Sequence, residues 1–455
     1  MIYMGNIKKA YLTDGPIGAT LFRLTLPMIL SLLAMVSFNL IDTFFIGQLG
    51  AEELAAIGFT FPVVFVIGGI AMGLGIATSS LVSRAIGSGD TEQVRRLATD
   101  SLMLAVLTVL FFVILGLLTI EPVFKLLGAS SEILVLIKQY MLIWYPGMVF
   151  VVIPMVGNNA IRATRDTRTP SFIMITAVVF NAILDPLLIF GIGPFPRMEL
   201  AGAAVATVVA RAITLVLSIY ILYHREKMIT LKRIAINRIF SSWKQILYIG
   251  LPSAGTNIII PLGVGIITSL VATYGPEAVA ALGVASRIDM LALTVIMALS
   301  SVLGPFVGQN WGAGKSGRIR TGVKYSQQFS MIWGALMLAV LLVASRSIAT
   351  IFSSDEMIVS NIQMYLWIVP VSYGFWGILM LTNSALNVLN KPIDAAMLTL
   401  MRVFVIYVPL AYLGSYLLGL SGIFGAVSVA NIFTGVAGYL WLKRTLNVQA
   451  AYAGA

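Results

Sequence analysis

Leu26-Pro27-Met28-Ile29-Leu30 opens a stretch that runs to Gly87-Ser88-Gly89-Asp90, and the whole stretch returns without a gap at residues 251 to 315. Leu26-Pro27 recurs as Leu251-Pro252, and Gly50-Ala51-Glu52 recurs as Gly275-Pro276-Glu277. Ala55-Ala56-Ile57-Gly58 recurs as Ala280-Ala281-Leu282-Gly283, and Gly87-Ser88-Gly89-Asp90 as Gly312-Ala313-Gly314-Lys315. The shift is 225 throughout, so a chain of 455 residues is made of two homologous halves. Repeats of this kind are a mark of alternating-access transporters, whose sites lie between the halves. The halves also differ: Asp42 lines up with Ile267.

Working outward, hydrophobic residues make up 59% of the chain and charged residues 10%. A soluble domain carries about a quarter charged residues, so the composition is that of a polytopic membrane protein. Twelve apolar spans are read near 20–46, 54–83, 97–120, 131–158, 169–192, 199–222, 244–273, 277–309, 321–345, 357–384, 393–418 and 420–443. Each is long enough to cross a hydrocarbon core of about 30 Å as a helix. Barrel strands would be shorter and would alternate in polarity, whereas these runs are unbroken. The first span is too long for a signal-peptide core and lacks a small-residue cleavage site, so no cleavable leader is expected. The expected fold is an all-α membrane protein with two pseudo-symmetric six-helix lobes. Residues 1–222 form the N-lobe, 223–243 a basic linker and 244–455 the C-lobe.

The net charge of +11 invites a nucleic-acid reading, but the basic residues sit in short loops between apolar spans. With the N-terminus inside, the loops holding Lys8, Lys9, Arg84, Arg95, Arg96, Arg162, Arg165, Arg168, Arg225, Lys232, Arg233, Lys315 and Arg318 are all cytoplasmic. The outer loops hold only Lys125, Lys138, Arg197 and Arg346. The positive-inside rule then places both termini in the cytoplasm. Cys is absent, which removes disulfides and thiolate metal sites. The single His224 sits in a basic loop, and no nucleophile–base arrangement or metal-ligand cluster is visible. The chain is therefore not read as an enzyme, and no cofactor or metal is expected.

Gly308-Gln309-Asn310-Trp311-Gly312-Ala313-Gly314-Lys315-Ser316 looks like the end of a phosphate-binding loop. The motif needs Gly at 309, where Gln309 stands. Its repeat partner has Asp90 in place of the lysine, so both stretches read as turns after long helices.

The informative polar residues are intramembrane. A carboxylate in a bilayer is costly and marks an ion or proton path when no partner explains it. Met28, Ser31, Met35, Asn39 and Asp42 are spaced by three and four, so one face of span 1 is polar and Met-lined, as a cavity wall would be. Met155 and Asn158 of span 4 are expected to line the same substrate cavity. Asn181 and Asp185 lie one turn apart on span 5, at the depth of Asp42. Span 6 brings Thr207 to a similar depth and Arg211 deeper. The structural alternative is that these acids are buried caps or partners of Arg211. None of the acids recurs in the second half: the partner of span 5 reads Arg402-Val403-Phe404-Val405-Ile406-Tyr407-Val408-Pro409. Arg287 and Asp289 in span 8 are read as a structural ion network. Met35, Met155, Tyr373 and Trp376 read mainly as packing residues, since Met fills irregular gaps. Pro27 and Pro252 each remove a backbone hydrogen bond and allow a bend. Gly69 and Gly73 have the small-xxx-small spacing of closely packed membrane helices.

On these residues the chain resembles the multidrug and toxic compound extrusion (MATE) transporters. The stretches that carry the resemblance are Leu26-Pro27-Met28-Ile29-Leu30, Leu40-Ile41-Asp42-Thr43-Phe44-Phe45-Ile46-Gly47, Ser83-Arg84-Ala85-Ile86-Gly87-Ser88-Gly89-Asp90, and Asn181 with Asp185. The resemblance covers essentially the whole chain. It implies a secondary antiporter of a bacterial or archaeal inner membrane, exporting lipophilic or cationic drug-like compounds in exchange for H⁺, with Na⁺ as the alternative. It also implies coupling at Asp42, Asn181 and Asp185, with Thr207 beside them and Pro27 as a hinge. Span 7 lacks an acid, which makes the chain more similar to the DinF-like branch. The protein is expected to act as a monomer among membrane lipids, without nucleic acid. A lipid-linked precursor flippase of the same superfamily is the alternative, but only Arg211, Arg287 and Arg402 are intramembrane cations. A channel usually needs a repeated ring around an oligomer axis, which a two-fold repeat does not supply.

Overall fold

The computed structural model describes residues 11–230 and 235–453, so Lys8, Lys9, Lys232 and Arg233 lie outside the described residues. Among the described residues all regular structure is helical. Twelve helices are long and apolar enough to cross a membrane. They are α1 (Ile17–Gly47), α2 (Ala51–Gly87), α3 (Thr91–Leu126), α4 (Ser131–Ala163), α5 (Arg168–Phe190) and α6 (Glu199–Arg225), followed by α7 (Ile236–Ala272), α8 (Pro276–Gly312), α9 (Ser316–Phe352), α10 (Glu356–Val388), α11 (Pro392–Leu418) and α12 (Leu420–Val448). The twelve expected spans are all present, and most helices extend a few residues beyond the apolar run. The extension is polar: Asp90 caps α3 by accepting from the Gln93 amide at 2.8 Å, and Asp355 caps α10 through Met357. Such caps satisfy amides that the helix leaves without partners.

Proline shapes the interiors. α4 is interrupted at Met148, just after Pro146, and α10 contains a tight turn at Val369–Ser372 around Pro370. Residues Met401–Tyr407 of α11 are wound more loosely, just before Pro409. A missing amide and a ring clash produce such breaks. α1 runs through Pro27 as one helix. The carbonyl of Pro27 accepts a hydrogen bond from the Ser171 hydroxyl of α5 at 2.6 Å.

The chain forms two compact units. One comprises Tyr11 with Leu26–Ala254, and the other comprises Leu12–Thr25 with Gly255–Ala455. Two of the boundaries fall inside long helices, at Thr25/Leu26 in α1 and at Ala254/Gly255 in α7, and a third falls at Tyr11/Leu12. In the first unit α2 and α7 touch backbone to backbone. A Cβ placed on Gly73 would sit 2.4 Å from the Gly250 carbonyl and 2.8 Å from Ala254 Cβ. The small residues of α2 thus serve close packing. In the second unit Gly414 and Gly422 approach equally closely. Phe111, Leu118, Leu126, Ile332 and Val343 stay exposed on the outer faces, as lipid-facing residues do.

Candidate functional site

The expected acid cluster assembles within the first unit. α5 presents Asn181 and Asp185 one turn apart, both with no exposed surface. The Asn181 amide donates to Asp185 Oδ1 at 3.0 Å. Asp42, half-buried near the end of α1, lies within electrostatic reach of Asp185. Thr207 of α6 donates to Asp42 Oδ1 over a long 3.5 Å. Tyr140 of α4 is buried close enough to both carboxylates to feel their charge. Four helices therefore converge on two acids, an amide and a hydroxyl.

The cluster is rich in acceptors. Asp185 Oδ2 and Asn181 Oδ1 are buried without a hydrogen-bond partner. Arg211 is not hydrogen-bonded to either, although its charge acts on Asp42. Its guanidinium lies over the Phe38 ring, 4.4 Å from the centroid, and its Nη1 contacts Met174 Sδ at 3.7 Å. Among the described residues it forms no ion pair with an acid. A buried carboxylate with no cationic partner is costly, and a bound proton or small cation relieves that cost. Among the described residues no group of three or more His, Cys, Asp or Glu is placed to hold a metal ion. The oxygens of Asp42, Asp185, Asn181 and Thr207 are hard donors, of the kind that suit a proton or an alkali cation.

The residues expected to line the cavity have unequal surroundings. Met35 and Asn39 are exposed, Ser31, Met155 and Asn158 are half-buried, and Met28 is fully enclosed. Asn158 keeps a buried, unpartnered Oδ1.

The second unit handles its polar groups differently. The structure corrects the ion network expected between Asp289 and Arg287. Arg287 is exposed while Asp289 is buried. Residues two apart on a helix point in different directions, so the two side chains cannot meet. Both Asp289 oxygens instead accept tyrosine hydroxyls, from Tyr365 at 2.5 Å and from Tyr373. Arg402 donates to Asn431 at 3.1 Å and lies over Trp376, while Asn431 donates to Ser372 at 2.9 Å. Tyr373 and Trp376 are thus part of a polar network as well as of the packing. Asp100 of α3, which sequence reasoning passed over, is buried beside Ser242 and Arg96. Its carbonyl accepts from Trp243 Nε1 at 3.0 Å, which ties α7 to α3.

Twelve spanning helices among the described residues, in a two-fold repeat with buried acids inside one repeat, are the architecture of a polytopic membrane transporter. A sequence profile of the MatE family matches residues 27–187 and 252–413, once in each half. The chain belongs to this family of MATE transporters and is not an enzyme. It is 40% identical over 433 residues to the FAD transporter of Shewanella oneidensis, covering 95% of this chain and 96% of that one. It is 26% identical to the probable multidrug resistance protein YpnP of Bacillus subtilis, over 96% of this chain and 97% of that one. Among solved structures, the Vibrio cholerae MATE transporter VcmN in the bent form superposes with a TM-score of 0.91 at 32% identity, covering 96% of this chain and 98% of that chain.

Proposed function

We propose that the protein is a proton-driven exporter of small organic solutes that couples at the Asp42–Asp185 cluster. The observation that carries this is the buried Asp185 carboxylate, with one oxygen unpartnered and the other held only by the neutral Asn181 amide. A proton arriving at Asp42 or Asp185 removes charge from an enclosed site, so the hydrogen bonds to Thr207 and Asn181 must rearrange. α1 carries Asp42 near one end and Pro27 towards the other. It responds by bending at Pro27, which alters the cavity wall of Ser31, Met35, Asn39, Met155 and Asn158 and expels the solute. The termini face the cytoplasm, in keeping with the distribution of Lys and Arg. Na⁺ is the alternative coupling ion, since the same oxygens suit it.

A lipophilic cation is the cargo that suits a negative site, because it competes directly with the proton. A second reading of the cargo has its own support. The 40% identical relative is named a FAD transporter, which favours a flavin dinucleotide. Reconstitution in liposomes tests both. With an imposed pH gradient, uptake of a fluorescent lipophilic cation that collapses in Asp42→Asn supports the first cargo. Pumping of FAD alone supports the second. Absence of pH-driven transport of either sinks the coupling claim.

A further inference from the structure

The Gly308–Ser316 stretch is not a phosphate loop, but it has an occupant: the segment that precedes α1. Leu12 is fully enclosed. Its amide donates to Gln309 Oε1 at 3.0 Å, and its carbonyl accepts from Asn310 Nδ2 at 3.1 Å. The Lys315 ammonium donates to the Thr13 carbonyl at 3.0 Å and to Asp14 Oδ1 at 2.9 Å. Arg318 donates to the carbonyls of Leu12, Asp14 and Gly15 at 3.4, 3.2 and 3.0 Å. Four successive carbonyls, from Leu12 to Gly15, are therefore taken by two cations and one amide. Arg318 Nε also donates to Asn310 Oδ1 at 3.2 Å, and Asn310 Nδ2 to the Phe306 carbonyl at 2.8 Å, which fixes the amide. Gly15, with φ +77, then turns the chain into α1.

The repeat shows that this dock belongs to the second half alone. The positions matching Gln309, Asn310, Lys315 and Arg318 are Arg84, Ala85, Asp90 and Gln93. Arg84 bonds within its own helix to the Ser80 carbonyl, and Asp90 caps α3. Neither is set up to hold an incoming strand. The compact units give the dock a consequence. Leu12–Thr25 belongs to the second unit, and the boundary falls at Leu26, one residue before Pro27.

We propose that residues 12–15, seated on Gln309, Asn310, Lys315 and Arg318, are a fixed anchor that holds the first turns of α1 to the second unit throughout transport, so that the helix moves only from Pro27 onward. This rests on the hinge reading of Pro27 given above. Release would expose Leu12 and break the hydrogen bonds that Gln309, Asn310, Lys315 and Arg318 make to the segment, so the contact is built to stay closed.

The absence of cysteine in the chain makes a direct test simple. Asp14→Cys/Lys315→Cys, in the full-length protein, is bridged with a short bis-maleimide and reconstituted in liposomes. Bridged protein should transport at least half as fast as the same protein before bridging; a larger loss shows that the contact must open and overturns the proposal. Arg318→Gln removes three carbonyl bonds and should slow transport by about tenfold while leaving substrate affinity within about twofold. Unchanged transport overturns the anchor. Bridging residues 14 and 315 in the Arg318→Gln background should restore transport, which a misfolded protein would not do; no recovery counts against the anchor. Pro27→Ala in the unmodified chain serves as the separate control. Normal transport there sinks the hinge, whereas the bridging result still reports whether the contact opens.

Discussion

Replacing each of two buried aspartates by asparagine should have opposite effects on stability and coupling. Asp185 uses one oxygen to accept from Asn181 and leaves the other unpartnered. In Asp185→Asn the amide oxygen keeps the 3.0 Å bond, and its new NH₂ takes the place of an atom that had no donor to lose. The neighbouring Asn181 Oδ1, also unpartnered, offers it an acceptor. Folding stability should stay within about 1 kcal/mol of wild type, while pH-driven transport is lost. Asp289 uses both oxygens, each accepting a tyrosine hydroxyl. Asp289→Asn sets an NH₂ group against one of these donors and weakens the other bond by removing the charge. The cost is about 2–4 kcal/mol, or a fall in Tm of about 5–10 °C for a unit of this size. Transport per folded molecule should persist. The assay pairs thermal unfolding in detergent with proteoliposome transport normalised to folded protein. If Asp289→Asn abolishes transport as fully as Asp185→Asn, with both proteins stable, the assignment of coupling to the first unit is wrong.

Other outcomes follow from single contacts. Pro27→Ala restores the missing amide in α1 and should preserve substrate binding while slowing transport. A spectroscopic distance from α1 to the second unit should then lose its pH response, and an undiminished response would show that Pro27 only packs. Gly73→Ala drives a methyl into the Gly250 carbonyl and should destabilise the protein by about 1–3 kcal/mol; an unchanged melting curve would refute this. Asp166, in the turn between α4 and α5, is pushed up by burial, but the hydrogen bonds from Thr169 and the Arg225 guanidinium hold its carboxyl below the usual 3.8. A depressed carboxylate adds stability above its unfolded value and loses it as pH falls through the folded one. Arg225→Gln should therefore move the acid loss of stability to higher pH, and coincident melting profiles between pH 3 and 6 would count against it.

The twelve helices were legible because apolar run length and the 225-residue shift survive in the sequence. The acid cluster was legible too: Asp42 on span 1, Asn181 and Asp185 on span 5 and Thr207 on the returning span 6 sit at matching depths, and depth follows from counting residues. What that counting could not give is which side chains meet across helices. Tyr365 and Tyr373 reach Asp289 from 76 and 84 positions away, and no periodicity encodes that distance. Arg211 is the structural alternative's partner for the acids; the structure stacks it on Phe38, one turn before Asp42 on α1, where its charge acts on Asp42 without a hydrogen bond. The seat of Leu12 on Gln309 and Asn310 was hidden for a similar reason. Its residues resembled a phosphate loop, and their true occupant lies almost 300 residues earlier in the chain.

Direct measurement of substrate-driven proton movement tests the coupling claim most closely. Proteoliposomes loaded with a pH-sensitive dye are given a substrate gradient with no imposed pH or Na⁺ gradient. Wild type should move protons against the substrate flux, and Asp42→Asn should move none while still binding substrate. Proton movement at the wild-type rate in Asp42→Asn, or wild-type transport that needs Na⁺ and leaves the internal pH unchanged, would contradict the account.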